Sequence, residues 1–321
     1  MKHRGRAFAA VFAAALTAAP ALAADPAAPP VTDWSSSVET VVVTPGSPPM
    51  WHVSANGSEV WILGNVDPLP KDLTWNTAPL RAAISGAKAV YLPAVLKAGF
   101  FEASWFLLTK LGTLKEPDGQ TLDATLPPDL RQRLADTRAR LKLDPDEYDD
   151  YLPAVAALRL EGKFQDENDL QRNAAADKIA DIAGELGVPA KPAATYAAMP
   201  VVEDVPKMPA ELQRACLAEA LDDIDIESAH AKPAAEAWAR GDMDGLKANY
   251  FEAAIYGCFD RTENFATFRE DQIADSFAIV QRALAEPGKV VLAIGLGPLL
   301  HKNGLLDRIL AAGYTVTSPG R

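Results

Sequence analysis

Strand-forming segments stand near the two ends of this sequence, and an almost wholly helical stretch separates them. Residues 51–53 and 60–63 are β-prone runs on either side of Asn56-Gly57, which predicts a hairpin because this pair adopts positive φ at low cost. The apolar run 288–294 predicts a buried strand near the other end. We therefore predict an α/β fold, with a mixed central sheet built from two strand-loop-helix-strand units and a long helical insertion over about 127–286.

The charge balance excludes one class of partner. With 31 Lys and Arg against 43 Asp and Glu, the chain of 321 residues carries a net charge of −12. Binding a nucleic acid needs a basic surface for the phosphates, so we expect no nucleic-acid partner. The length suits one large or two modest domains, and the pattern favours a single domain over residues 49–321 after an extended tether at 24–48.

The first residues have the pattern of a cleavable signal peptide. Lys2, Arg4 and Arg6 precede an apolar run at 7–19, and the small residues of Ala21-Leu22-Ala23 follow it. The alternative is an uncleaved anchor, but this run has 13 residues, whereas a membrane-spanning helix needs about 20. We predict cleavage after Ala23, a periplasmic or secreted protein, and no stable membrane anchor.

Two cysteines, Cys216 and Cys258, lie in separate segments that both have a helical pattern. Export would allow them to form a disulfide, because compartments outside the cytoplasm are oxidising. Closing this loop would stabilise the fold by about 4 kcal/mol at most. The alternative is two separate buried thiols, and the spacing does not match the CxxC pattern of redox motifs.

Histidines, the usual metal ligands, are few and scattered. They are His3, His52, His230 and His301, and they form no HxH, HExxH or HxxxH pair that would share a strand end or a helix face. The sequence also lacks a GxSxG nucleophile motif. The acidic run 221–227 could offer oxygen ligands to a cation, but it lacks the EF-hand spacing, so we interpret it as a solvated helix end.

Three separated motifs carry a family resemblance. The first is the tryptophan-bearing segment from Pro49 to Gly64, the second is the Ala-Trp-Ala-Arg-Gly-Asp run at 237–242, and the third is the glycine-spaced segment from Ile294 to Val316. In this order, along about residues 49–319, they resemble the TraB/GumN family, which includes the Tiki proteases. The resemblance implies an α/β fold with a metal-dependent hydrolytic site at the carboxyl ends of its strands.

The resemblance also implies which residues should hold the metal, namely two histidines that each end a GxxH motif and one strand-end glutamate. These positions correspond to Asp67, Pro93 and Pro298 in this chain. Imidazoles and a carboxylate can hold a divalent ion that activates water, whereas a proline side chain offers no donor atom. Of the three positions, only Asp67 could still bind a metal.

We therefore expect an exported protein with a degenerate metal-hydrolase site, which binds a peptide, glycan or protein partner without catalysis and without a cofactor. The alternative is a divergent metal-dependent hydrolase or peptidase whose rebuilt site uses Asp67, Arg261 and His301. Arg261 stands where the family has an arginine near the start of a helix. This alternative requires the three side chains to converge in one cleft, since proton transfer needs hydrogen-bond reach.

Overall fold

The structure is a computed structural model, and it describes Trp34, residues 46–117 and residues 119–317. The predicted signal peptide at 1–23 and most of the predicted tether at 24–48 lie outside the described residues. Within the part of the chain that the structure describes, no helix is both long and apolar enough to cross a membrane.

A mixed sheet forms the centre of the fold. The strands are β1 (Met50–Ala55), β2 (Ser58–Asn65), β3 (Leu69–Pro70), β4 (Ala89–Leu92), β5 (Val95–Lys97), β6 (Leu170–Gln171), β7 (Ala190–Pro192), β8 (Thr195–Ala197), β9 (Gly288–Gly295) and β10 (Val316–Thr317). The central sheet has the order β10-β1-β2-β9-β4-β7. β1 is antiparallel to β2 and β10, whereas β2, β9, β4 and β7 run parallel to one another. The predicted α/β fold with a mixed central sheet is confirmed.

Helices cover both faces of this sheet and build most of the middle of the chain. They are α1 (Ala78–Ile84), α2 (Phe100–Thr109), α3 (Leu122–Thr125), α4 (Pro128–Arg140), α5 (Pro153–Glu167), α6 (Ala174–Glu185), α7 (Met199–Asp204), α8 (Ala210–Arg240), α9 (Met243–Asn249), α10 (Ala254–Phe259), α11 (Glu263–Ala285), α12 (Leu296–Leu300) and α13 (Leu305–Ala311). Short 3-10 turns follow α2 and α7.

The buried strand β9 shows why both faces of the sheet are covered. Val291 and Ala293 pack into one core, while Leu292 and Ile294 pack into the other. Successive side chains of a strand point to opposite faces, so a continuous apolar run needs apolar partners on both sides. The sequence of β9 therefore places it inside the sheet, between β2 and β4.

The hairpin forms as predicted, but the helical middle is interrupted. Asn56 and Gly57 adopt φ values of 53° and 74° at the turn between β1 and β2. Within the stretch predicted as helical, the structure has short strands at 170–171, 190–192 and 195–197. These strands are two or three residues long and mostly exposed, and they form because a neighbouring strand from elsewhere in the chain pairs with them.

A second core lies among the helices, apart from the sheet. Leu160 of α5, Leu217 of α8 and Ile255 of α10 are fully buried there. Cys216 and Cys258 lie at disulfide distance in this core, with their Cα atoms 5.4 Å apart. Of the two alternatives that the sequence leaves open, the structure therefore has the paired cysteines.

The long helix α8 joins the helical core to the sheet. Near its end the buried Trp238 donates a hydrogen bond from Nε1 to the backbone oxygen of Gly64, at 2.6 Å. A Cβ atom on Gly64 would lie 2.5 Å from Leu296 and 2.9 Å from Trp51, so only glycine fits between these side chains. The contact fixes the end of β2 and one end of α8 together.

Helix α2 is the main exposed apolar feature. Phe100, Phe101 and Leu108 are 80%, 86% and 83% exposed, whereas Phe106 is buried and anchors the helix to the protein. Large exposed apolar patches on soluble proteins mark interaction surfaces more often than chance would place them there. The helix begins three residues after the end of β5, whose middle residue, Leu96, borders the cleft described next.

Candidate functional site

A cleft of about 370 Å³ lies at the carboxyl ends of the parallel strands β2, β4 and β9. We refer to it as the strand-end cleft. Its strand wall includes Asn65, Asp67, Pro93, Gly295 and Pro298. The carboxyl ends of neighbouring parallel strands meet at one edge of a sheet, where α/β folds place their ligands.

The opposite wall of the cleft comes from the helices. Glu161 and Gln165 project from α5, Arg172 follows β6, Glu227 belongs to α8 and Tyr256 to α10. Most ionisable groups of the cleft therefore stand on the helical wall. The strand wall contributes backbone, proline rings, one amide and one carboxylate.

Hydrogen bonds link the polar groups of the helical wall into a chain. Arg172 donates to Glu161 Oε2 at 3.1 Å and, through Nε, to Gln165 Oε1 at 2.6 Å. Gln165 in turn donates from Nε2 to Glu227 Oε1 at 3.0 Å. Glu161, Gln165 and Glu227 are all buried, so the chain fixes their orientations in a site of low dielectric constant.

Burial shifts the protonation of the two glutamates on this wall. Burial raises the pKa of Glu227 to about 8, and the nearby Glu161 raises it further than the hydrogen bond from Gln165 lowers it. Burial also raises the pKa of Glu161, against the lowering effect of Arg172. A carboxyl with a pKa near 8 is mostly protonated at neutral pH, so Glu227 is largely uncharged in the free protein.

Asp67 stands at the rim of the cleft. Its Oδ1 accepts a hydrogen bond from the backbone N–H of Asn173 at 2.7 Å. Partial withdrawal from water raises the pKa of Asp67, while that hydrogen bond and the charge of Arg172 act in the opposite direction. The carboxylate is thus held in place by the segment that leads into α6.

The far end of the cleft is closed by residues that precede α10 and by α11. The Tyr250 hydroxyl accepts a hydrogen bond from the backbone N–H of Gly297 at 3.0 Å. Arg269 pairs with Glu252 at 2.6 Å and with Asp260 at 3.3 Å. The charge of Arg269 is therefore matched by carboxylates of the protein itself.

Two buried side-chain oxygens on the cleft walls have no hydrogen-bond partner among the described residues. They are Oδ1 of Asn65 and Oε2 of Glu227, whose residues are 6% and 5% exposed. An unmade hydrogen bond of a buried polar group costs about 1–3 kcal/mol, so native proteins seldom leave one without a reason. The two atoms mark the places where a bound group could complete the site.

The positions that the resemblance assigns to a metal meet at this cleft but do not fit one. Asp67, Pro93 and Pro298 all line it, so the fold still brings them together. Two of the three side chains carry no donor atom, and the Asp67 carboxylate already accepts a backbone hydrogen bond. Among the residues that the structure describes, no group of three or more His, Cys, Asp or Glu side chains is arranged to hold a metal ion.

The structure does not bring Asp67, Arg261 and His301 together at the cleft. Arg261 is exposed, pairs with Glu219 at 3.2 Å and does not line the cleft. His301 is exposed as well, and its Nδ1 lies 3.1 Å from the backbone oxygen of Lys302. Of the three candidates, only Asp67 borders the strand-end cleft.

The interpretation of residues 221–227 as a solvated helix end is wrong, because they lie in the middle of α8 and two of their carboxyls are buried. Asp223 is buried and accepts hydrogen bonds from the N–H groups of Ala254 and Ile255, and Glu227 lines the cleft. Burial raises the pKa of Asp223 to about 6. The helical spacing could have revealed both, because they fall on the apolar stripe of α8 that also carries Cys216.

Comparison with curated proteins gives no match, and comparison with solved structures gives none either. The sequence model of the TraB/PrgY/gumN family, in contrast, matches residues 49–318. This range takes in the central sheet and every residue named above on the cleft walls. The chain therefore belongs to the TraB/PrgY/gumN family.

Proposed function

We propose that this chain is an exported, non-catalytic binding protein whose partner, a peptide or a segment of a protein, occupies the strand-end cleft. The observation that carries the proposal is the cleft itself. It keeps a volume of about 370 Å³ although two of the three positions that would hold a metal are proline. The hydrogen bond from Trp238 to Gly64 holds the end of β2, whose last residue, Asn65, lines the cleft. A fold can remain stable after its catalytic residues are replaced, because the packing that stabilises the fold does not require those residues.

Two observations support export. The N-terminal sequence has a signal-peptide pattern with a cleavage site after Ala23. Cys216 and Cys258 lie at disulfide distance, and disulfides persist in oxidising compartments such as the periplasm or the cell exterior. A periplasmic or secreted protein would satisfy both.

The neighbourhood of the cleft favours a peptide or protein partner over a glycan. Leu96 lines the cleft, and Phe100 begins α2 four residues later, so at most about 14 Å of chain separates the two. The exposed side chains of Phe100, Phe101 and Leu108 would offer apolar contacts to a partner that extends out of the cleft. Glycans present few apolar surfaces of that size.

The alternative, a hydrolase with a rebuilt site, receives less support. It needs Arg261 and His301 beside Asp67, and neither residue lines the cleft. No observation of this structure favours that arrangement, so we treat it as the competing outcome of the experiment below.

Metal titration of the mature protein tests the proposal. We expect zinc, cobalt and manganese to show no stoichiometric tight binding by calorimetry, and no cleavage of an unfolded protein substrate in their presence. The comparison variant is the triple substitution Asp67→His, Pro93→Glu, Pro298→His, which places at all three positions the residue types that the resemblance implies for a metal site. Tight stoichiometric binding of metal by the unaltered protein, with metal-dependent cleavage, would contradict the proposal.

A further inference from the structure

On the basis of the proposed binding function, we infer that the ligand of the strand-end cleft carries a primary ammonium or guanidinium group. A lysine or arginine side chain of a peptide carries such a group, and so does a free diamine. Three observations carry this inference: the charge pairing of the cleft, its two side-chain oxygens without a hydrogen-bond partner, and the aromatic rings in its lining. Each points to a cation that donates hydrogen bonds.

Two carboxyls of the cleft have no ion-pair partner among the described residues. Arg172 pairs with Glu161, and Arg269 pairs with Glu252 and Asp260. Within the part of the chain that the structure describes, no ion pair involves Asp67 or Glu227. Asp67, and Glu227 once it ionises, therefore have no cation of the protein within ion-pair distance, and a ligand cation would supply one.

The two side-chain oxygens without a hydrogen-bond partner lie on opposite walls of the cleft. Asn65 Oδ1 belongs to the strand wall and Glu227 Oε2 to the helical wall. An ammonium group has three N–H donors and a guanidinium group has five, so one such group can donate to several acceptors at once. A ligand that only accepts hydrogen bonds would leave Asn65 Oδ1 unsatisfied.

The lining also includes five aromatic side chains, which suit a cation. The rings are those of Tyr250, Phe251, Tyr256, Phe265 and Phe268. Tyr256 and Phe265 stack with their centroids 6.2 Å apart. Aromatic faces attract ammonium and guanidinium groups, and they also cover the methylene stem of a lysine or arginine side chain. A cavity of about 370 Å³ is near the lower end of the usual range for ligand sites, which suits a single long side chain.

The protonation of Glu227 gives the inference a specific signature. The charged or titratable groups that face it are Glu161, Arg172, Asp223 and Tyr256, and Gln165 hydrogen-bonds to it. Because Glu227 is largely protonated at neutral pH, a bound cation would favour its ionised form and expel the proton. Binding of a cation at pH 7 should therefore release a proton, whereas a neutral ligand should release none.

The test compares short capped peptides by calorimetry on the mature protein. The peptides carry lysine, arginine, the neutral isostere norleucine or glutamate at one central position, and putrescine is the free diamine. We expect the lysine and arginine peptides to bind roughly tenfold or more tightly than the norleucine peptide, as expected for charge-assisted hydrogen bonds. A preference for putrescine over the basic peptides would identify a free amine as the source of the cationic group.

Variants locate the binding. Glu227→Gln keeps the shape of the side chain and should weaken binding of the basic probes roughly tenfold or more. It should also lower the number of protons released on binding, which is measured in buffers of different ionisation enthalpy. Asp67→Asn should weaken binding in the same direction. Glu185→Gln is the matched control, because Glu185 is exposed and pairs with Arg81 away from the cleft. Thermal unfolding of each variant shows that it is folded.

The outcomes separate the inference from the proposed function. Equal binding of the norleucine peptide, preference for the glutamate peptide, or no binding of any basic probe would overturn the inference and leave a non-catalytic binding protein intact. Metal-dependent cleavage in the titration described above would instead overturn the proposed function.

Discussion

The two walls of the strand-end cleft differ in the side chains that they carry. In the strand wall, the carboxyl ends of β2, β4 and β9 meet at one edge of the sheet. Its side chains offer little chemistry, because Pro93 and Pro298, at two of the three positions that the resemblance assigns to a metal, carry no donor atom. The helical wall holds the buried carboxyls Glu161 and Glu227 and the guanidinium of Arg172.

This difference teaches that the place of a site and its chemistry can have separate origins. Gly64 and Trp238, at the end of β2 and near the end of α8, serve packing, so the fold alone explains them. The polar groups of the helical wall pack no core, and their burial costs free energy unless they are paired. This buried polar network is therefore the part of the cleft to test for function.

The largest effect should come from breaking the contact between the two halves of the molecule. Trp238→Ala removes a fully buried indole from between α8 and the sheet, and we expect a loss of about 3–5 kcal/mol in the free energy of unfolding. Trp238→Phe keeps most of the packing but loses the hydrogen bond to Gly64, which should cost about 1–3 kcal/mol. Urea unfolding measures both. A smaller loss of unfolding free energy for Trp238→Ala than for Trp238→Phe would contradict this account of the contact between α8 and the sheet.

The next largest loss of stability should come from removing the disulfide in the helical core. Replacing both cysteines, Cys216→Ala with Cys258→Ala, removes a link that closes a loop of 42 residues, and the loss should be at most about 4 kcal/mol. The unaltered protein under reducing conditions should unfold at the same urea concentration as the double variant. A double variant as stable as the oxidised protein would mean that the pair contributes nothing.

A smaller effect should appear in the pH dependence of stability. The pKa of Glu227 is about 8 in the folded protein, above its ordinary value of 4.5, so the folded state binds this proton more strongly than the unfolded state does. Glu227 therefore contributes stability that is fully present below about pH 4.5 and is lost as the pH rises to about 8.

Glu227→Gln cannot ionise, so the fall in melting temperature between pH 5 and 8 should be shallower in this variant. It should not vanish, because burial also raises the pKa of Glu161. Glu185→Gln should keep the slope of the unaltered protein. Identical slopes for Glu227→Gln and the unaltered protein would show that Glu227 ionises freely in the folded state.

The smallest effect should come from Arg261→Ala. Arg261 is exposed and forms one ion pair with Glu219, so its loss should cost less than about 1 kcal/mol. Binding of basic peptides should be unchanged, because Arg261 does not line the cleft. Loss of binding in this variant would favour the rebuilt site that includes Arg261.

The hairpin and the central strand β9 could be predicted from the sequence, because local patterns determine them. Asn56 and Gly57 specify the hairpin turn, and the apolar run of β9 specifies a strand covered on both faces. The short strands β6, β7 and β8 could not be predicted from the sequence. They carry no pattern of their own, and Pro192 even lies in β7, so only pairing with distant strands creates them.

The residues of the candidate site could be predicted from the sequence only in part. A motif comparison located Asp67, Pro93 and Pro298, because each follows a strand in a recognisable spacing. Glu161 and Gln165 meet Glu227 only through the packing of α5 against α8, which no local pattern records. The position of Asp223 and Glu227 on the apolar stripe of α8 predicts their burial, although the acidic composition of the run 221–227 favours a solvated segment.

Helix α8 carries Cys216, Glu227 and Trp238 at equal intervals of 11 residues. Eleven residues make three turns with an offset of only about 20°, so the three side chains point to the same side along about 33 Å of helix. Inserting or deleting one residue between any two of them would rotate one anchor by about 100° relative to the others. Length variation among relatives that share these anchors should therefore avoid residues 216–238 and fall in the loops on either side.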